Sequence, residues 1–140
     1  MFTKCVAFWK ANPLARAADR IDLQTLDRLD EALSKFRRLK RNASLIAQWV
    51  KLDDDFHSAI ASASGSPRLA ADIDRYRLLH RVFNRSHTDA GVLNQAAQEH
   101  EDILDALRRR NVEDARQAMR RHLQEWQRFF VNHLQKRTVS

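Results

Sequence analysis

Glycine and proline are almost missing from this sequence: two of each in 140 residues, about 3% where average usage gives roughly 12%. Sandwiches, small barrels and collagen-like chains need these residues at their turns or in their repeat, so all three are excluded. Cysteine is missing as a pair. Only Cys5 is present, so no internal disulfide forms, and no charged-then-apolar leader with a small-residue cleavage site opens the chain, which points to a cytoplasmic protein. Long apolar runs are missing too. The longest uncharged stretches, residues 42–50 and 58–67, are about half of the roughly 20 residues a membrane span requires. No segment alternates with period two over a useful length, so no strand is expected.

What the chain does contain is enough apolar material for a core. Hydrophobic residues make up 44% and charged residues 31%, outside the range of a disordered chain. A chain of this length buries roughly 70% of its unfolded surface, so it folds without a structural metal, and any metal site would serve function. The net charge of +7, from 25 Lys+Arg against 18 Asp+Glu, brings nucleic acid or an anionic ligand into view. Most of it lies in residues 108–140, where nine basic residues face three acidic ones. Those charges are interleaved with apolar residues at helical spacing, the pattern of a solvated helix face.

Helical periodicity organises the rest. After Pro13, residues 14–18 predict a short helix; residues 1–12 are apolar without a period. Leu23, Leu26, Leu29, Leu33 and Phe36, with Asp22 in capping position, predict a helix over 22–40. From Ser44, a stripe of Leu45, Ile46, Trp49, Leu52, Phe56, Ile60 and Ala63 predicts another, ended by Gly65, Ser66 and Pro67. Pro67 can open a third, with Leu69, Ile73, Tyr76, Leu79 and Phe83, which residues 86–91 close. A fourth covers 92–110 through Ala96, Ile103, Leu104 and Leu107. Asn111 breaks it, and Val112, Ala115, Ala118, Met119, Leu123, Trp126 and Phe130 mark a long fifth. The expectation is an all-α antiparallel bundle of about six to seven helices, one domain over residues 14–136 with 1–13 unassigned.

The residues that can carry chemistry are the six histidines. Asp53 and His57 stand four apart and share a helix face with Trp49, Phe56 and Ile60. His100 lies in line with Ala96, Ile103, Leu104 and Leu107, and His122 lies among Met119, Leu123 and Trp126. Three helices thus each aim a potential ligand at the bundle interior. Burying one carboxylate and three imidazoles without partners costs several kcal/mol, and a divalent cation such as Zn²⁺ or Ni²⁺ would satisfy all four. A local Asp53–His57 pair beside two ordinary core histidines fits the same spacing. His80, His87 and His133 read as solvent-facing, and Trp9, Trp49, Trp126 and the phenylalanines as core or dimer contacts. Enzyme signatures are absent: Leu104 stands where H-E-x-x-H needs its second histidine, no His-Asp dipeptide occurs, and Glu99 and His100 are adjacent instead of spaced as Glu-x-x-His. Nucleophile elbows and P-loops need glycines that the chain does not have.

These blocks resemble the FCD domain, the C-terminal effector-binding domain of the FadR subfamily of GntR-type bacterial transcription regulators. That family carries D-x-x-F-H before a small-residue helix end; here Asp53-Asp54-Asp55-Phe56-His57 precedes Ala63-Ser64-Gly65-Ser66-Pro67. It carries E-H-x-x-I-L-x-A-L and then M-x-x-H-L; here Glu99-His100-Glu101-Asp102-Ile103-Leu104-Asp105-Ala106-Leu107 is followed by Met119-Arg120-Arg121-His122-Leu123. The resemblance covers about residues 14–134. It implies metal ligation by Asp53, His57, His100 and His122, and a small carboxylate effector bound through the metal and nearby arginines. Arg77 and Arg81, one turn apart, are the candidates for a carboxylate clamp. It also implies a homodimer, no enzymatic activity, and DNA contact only through a winged helix-turn-helix domain. That domain is absent from this chain, whose first dozen residues do not match the family's usual start, so a fragment, a truncated gene product and a stand-alone sensor all fit. Two further classes compete: a small helical metalloenzyme acting on organic acids, with Asp54 or Asp55 as base, and a nonspecific basic nucleic-acid-binding bundle.

Overall fold

The computed structural model describes residues 13–138 apart from 41, 43, 69, 72, 73, 76 and 79–88. Five helices are defined: α1, Pro13–Arg20; α2, Leu23–Arg37; α3, Leu45–Ala63; α4, Ala90–Arg108; and α5, Val112–Thr138. The described residues between 67 and 78 are helical as well, and no strand occurs among the described residues. The all-α class is as expected, with slightly fewer helices than the six to seven anticipated. The expected third stripe, Leu69, Ile73, Tyr76, Leu79 and Phe83, lies outside the described residues, as do Trp9, His80, His87 and residues 1–12. No described helix is long and apolar enough to cross a membrane.

Local chemistry sets the helix ends. Asp22 is extended and its carboxylate accepts from Thr25 N at 2.6 Å, which starts α2. Asp89 does the same for α4, accepting from Val92 N at 3.0 Å, so this helix begins two residues earlier than its apolar stripe suggests. Gly65, at φ 77°, supplies the left-handed residue after α3.

The α4–α5 junction is tighter still. Arg110 sits at φ 56°, a conformation that costs a non-glycine residue about 1 kcal/mol. Its amide donates to Leu107 O at 3.1 Å and that of Asn111 to Ala106 O at 3.0 Å, which closes the last turn of α4. The Arg110 guanidinium then donates to Ala18 O at 2.7 Å, tying the end of α1 to this corner. Asn111 starts α5 by accepting from Asp114 N at 3.0 Å.

The core follows from the stripes. Leu26, Leu29, Leu33 and Phe36 of α2 meet Trp49, Phe56 and Ile60 of α3, Ile103, Leu104 and Leu107 of α4, and Ala115, Ala118 and Met119 of α5. α4 and α5 make the most extensive pair, α2 packs on α3 and α4, and α1 packs on α3 and α5. Contacts of Glu99 with His122 and of Gln95 with Glu125 show α4 and α5 antiparallel. Several arginines of the basic stretch face acidic partners: Arg108 meets Asp27 and Asp30, Arg109 meets Asp105 and Asp114, and Arg128 meets Glu125. Such exposed pairs each contribute between zero and about 1 kcal/mol; their effect is to make this surface a mixed one.

Replacing Asn111 with alanine removes the α5 cap, and urea unfolding of Asn111→Ala should show a loss of about 1 kcal/mol. A change within about 0.3 kcal/mol of zero would mean that the corner is held by the Arg110 contacts alone.

Candidate metal centre

α3 carries Asp53 and His57 one turn apart on its buried face, with Trp49, Phe56 and Ile60. α4 brings in His100 between the buried Ala97 and Ile103, and α5 brings in His122 next to the buried Met119. One ligand atom from each of Asp53, His57, His100 and His122 lies within 4.8 Å of the others, and all four residues are buried. The Asp53 Oδ1 atom is the hub, 3.3 Å from His57 Nε2 and 3.1 Å from His100 Nε2. The rings of His57 and His122 stack at 5.5 Å, and His100 meets His122 edge-on at 4.9 Å.

Three of the four ligands are seen held by neighbouring groups. His100, fully buried, is stacked between Phe56 at 4.0 Å and Trp49 at 4.9 Å. Neither of its ring nitrogens makes a hydrogen bond among the described residues, although Nε2 lies close to the Asp53 carboxylate. The other Asp53 oxygen, Oδ2, accepts from Arg77 Nη2 at 2.5 Å, while Arg77 Nε donates to Asp54 Oδ1 at 3.0 Å. His122 Nδ1 lies 2.6 Å from Glu99 Oε2, and Gln95 Nε2 donates to the second Glu99 oxygen at 3.2 Å.

Burial decides the protonation of the central rings. Loss of water, opposed by the Asp53 contact, pushes His100 from 6.5 down to about 4. Desolvation and then the Arg77 cation hold His57 well below its ordinary value, again against Asp53. Both rings are therefore neutral at neutral pH, the form in which imidazole ligates a metal.

The donor set fits a cation on three counts. It is one carboxylate oxygen and three imidazole nitrogens, a set suited to first-row divalent metals. Its most buried ring, His100, has two nitrogens without hydrogen bonds among the described residues, a costly arrangement in the absence of a ligand. Among the described residues, three carboxylates (Asp53, Asp54, Glu99) and the Arg77 guanidinium are in contact around it, a carboxylate-rich surrounding that suits a cation.

Sequence spacing had singled out Asp53, His57, His100 and His122, and the structure brings these four together. Arg77 is buried against Asp53 and Asp54. Arg81 lies outside the described residues. His133, expected in solvent, is half-buried over the Phe129 ring at 4.4 Å. The contact that the spacing did not expose is Glu99 with His122, because it joins two helices at a register that only their packing sets. A cleft of about 200 Å³ between α4 and α5 reaches His122 and Glu99 from outside, lined further by Val92, Ala96, Trp126 and Phe129.

A family model described as the FCD domain matches residues 12–125. Comparison with curated proteins gave no match.

The depressed histidines set a pH dependence. Unfolded histidine takes a proton near 6.5, whereas folded His100 does so only near 4, so below 6.5 protons favour the unfolded chain. With a chelator present, the urea midpoint should hold above pH 6.5 and fall progressively between pH 6.5 and about 4. A midpoint flat across that window would show that the rings are not buried in neutral form.

Proposed function

The chain belongs to the FCD domain family, and from that premise we propose that it is a metal-dependent sensor of small organic acids, the effector-binding and dimerisation domain of a FadR-type, GntR-family transcription regulator working in the cytoplasm. Asp53, His57, His100 and His122 hold a divalent transition metal, Zn²⁺ or Ni²⁺. The observation that carries this reading is the convergence of four buried donors from three helices within 4.8 Å.

The metal supplies a Lewis-acidic point of attachment for a carboxylate. This chain's residues do the rest. Asp53 is held with one oxygen on Arg77, leaving Oδ1 directed at His57 and His100. Arg77 spends Nε and Nη2 on Asp54 and Asp53; its Nη1 is the donor we assign to an incoming carboxylate, with Arg81 as its partner in the clamp. The α4–α5 cleft beside His122 gives a small molecule a path to the site. Output then runs through a dimer to winged-helix DNA readers, as in the family's regulators.

Binding without turnover is the better reading of the site's chemistry. A hydrolytic centre needs a base near the metal, and the candidate carboxylates are engaged: Asp54 accepts from Arg77, Asp55 pairs with Lys51 at 3.1 Å on the surface, and Glu99 is held by His122 and Gln95.

Metal analysis of the purified protein beside His100→Ala and His122→Ala should find about one equivalent of metal in the wild type and at least tenfold weaker binding in each variant. Equal metal content in all three would remove the site. A panel of di- and tricarboxylic acids should raise the melting temperature of the metal-loaded wild type and leave the acids chemically unchanged; turnover of any acid would move the protein to the enzyme class.

A further inference from the structure

Glu99 stands in the wall of the α4–α5 cleft and its side chain meets the cluster at His122. A carboxylate accepts and does not donate, so across the 2.6 Å contact His122 Nδ1 carries the proton. That assigns the ring its tautomer: the lone pair sits on Nε2, the nitrogen remaining to the cluster. Glu99 is itself steadied, since its other oxygen accepts from Gln95 at 3.2 Å and only 15% of its side chain is exposed. Gln95 also reaches Glu125 at 3.3 Å, and Glu125 pairs with Arg128. A chain of polar contacts therefore runs along the cleft and ends on a ring nitrogen of the centre.

His100 makes no such hydrogen bond among the described residues and is held by the Phe56–His100–Trp49 stack. Phe56 also meets the His57 ring edge-on at 5.2 Å. His122 belongs to the more exposed side of the site, with half-buried Leu123 and Trp126 as its neighbours. Without a polar anchor this ring would be free to turn or to take the other tautomer.

We infer that Glu99 is a positioning residue of the centre, setting the tautomer and orientation of His122 and thereby the affinity for the cation. This rests on the metal reading above for its affinity arm and on the metal-free geometry for its tautomer arm. A carboxylate hydrogen-bonded behind a ligating imidazole makes it a stronger ligand, and losing such a partner typically weakens metal binding by about 10- to 100-fold.

The test compares wild type, Glu99→Ala and Glu99→Gln in two measurements. In chelator-treated protein, ¹⁵N–¹H correlation spectra of the histidine side chains should show His122, assigned by its loss in His122→Gln, as the Nδ1–H tautomer in wild type and in Glu99→Gln, whose amide oxygen still accepts. Glu99→Ala should give the other tautomer or a mixture. Chelator competition with Zn²⁺ should show about 10- to 100-fold weaker binding for Glu99→Ala and a loss of less than about tenfold for Glu99→Gln.

An unchanged His122 tautomer in Glu99→Ala would overturn the proposal. So would Glu99→Gln and Glu99→Ala losing affinity equally while keeping the wild-type tautomer. A wild type with no affinity for Zn²⁺ or Ni²⁺ would sink the metal-sensor reading instead, and the tautomer comparison would then decide for Glu99 alone.

Discussion

Asp53 keeps 1% of its surface in contact with solvent and is ringed by three buried imidazoles. Taking a carboxylate out of water costs several kcal/mol unless partners replace the water. Arg77 replaces it at one oxygen through a short charge-assisted bond. The other oxygen lies against the His57 and His100 rings, and His100 makes no hydrogen bond of its own among the described residues. A metal ion set among these donors could serve the carboxylate and the rings together. The surrounding architecture is what holds these groups in the interior.

Three kinds of contact distribute the load. The stack of Trp49, His100 and Phe56 joins α3 to α4 through apolar area, so the ring most starved of polar partners is the one best held by packing. The Asn111 corner joins α4 to α5 at a fixed register, and Arg110 anchors α1 to that corner through the Ala18 carbonyl. Arg77, from the helical residues between 67 and 78, closes the centre behind Asp53. His100 and His122 thus sit on helices joined by one short, capped connection, where a displaced helix would move a ligand.

Much of this was legible in the residues. Helical spacing put Asp53 and His57 on one face and turned His100 and His122 inward, because the face a side chain occupies depends only on its position in the repeat. Asp22, Gly65 and Asn111 announced helix ends through their own chemistry, and each is found at one. The chemistry between helices was less legible. Glu99 is adjacent to His100 in sequence, yet its partner is His122, 23 residues away on the antiparallel neighbour. Spacing marks Arg77 as a candidate ligand clamp, whereas its burial against Asp53 and Asp54 is visible only in the packed structure.

By itself the sequence determined the helical class, the faces of the helices and the four residue types turned inward, since these are properties of a single helix and need no neighbour. Whether four inward donors meet at one point or are spread along the core depends on crossing positions and register, which packing of whole helices decides. The tertiary structure alone brought Asp53 Oδ1 within 3.1 Å of the His100 ring on a different helix. It also placed Glu99 behind His122. Interatomic distances of this kind come from the balance of core volume against buried charge, a sum over many residues that no local pattern contains.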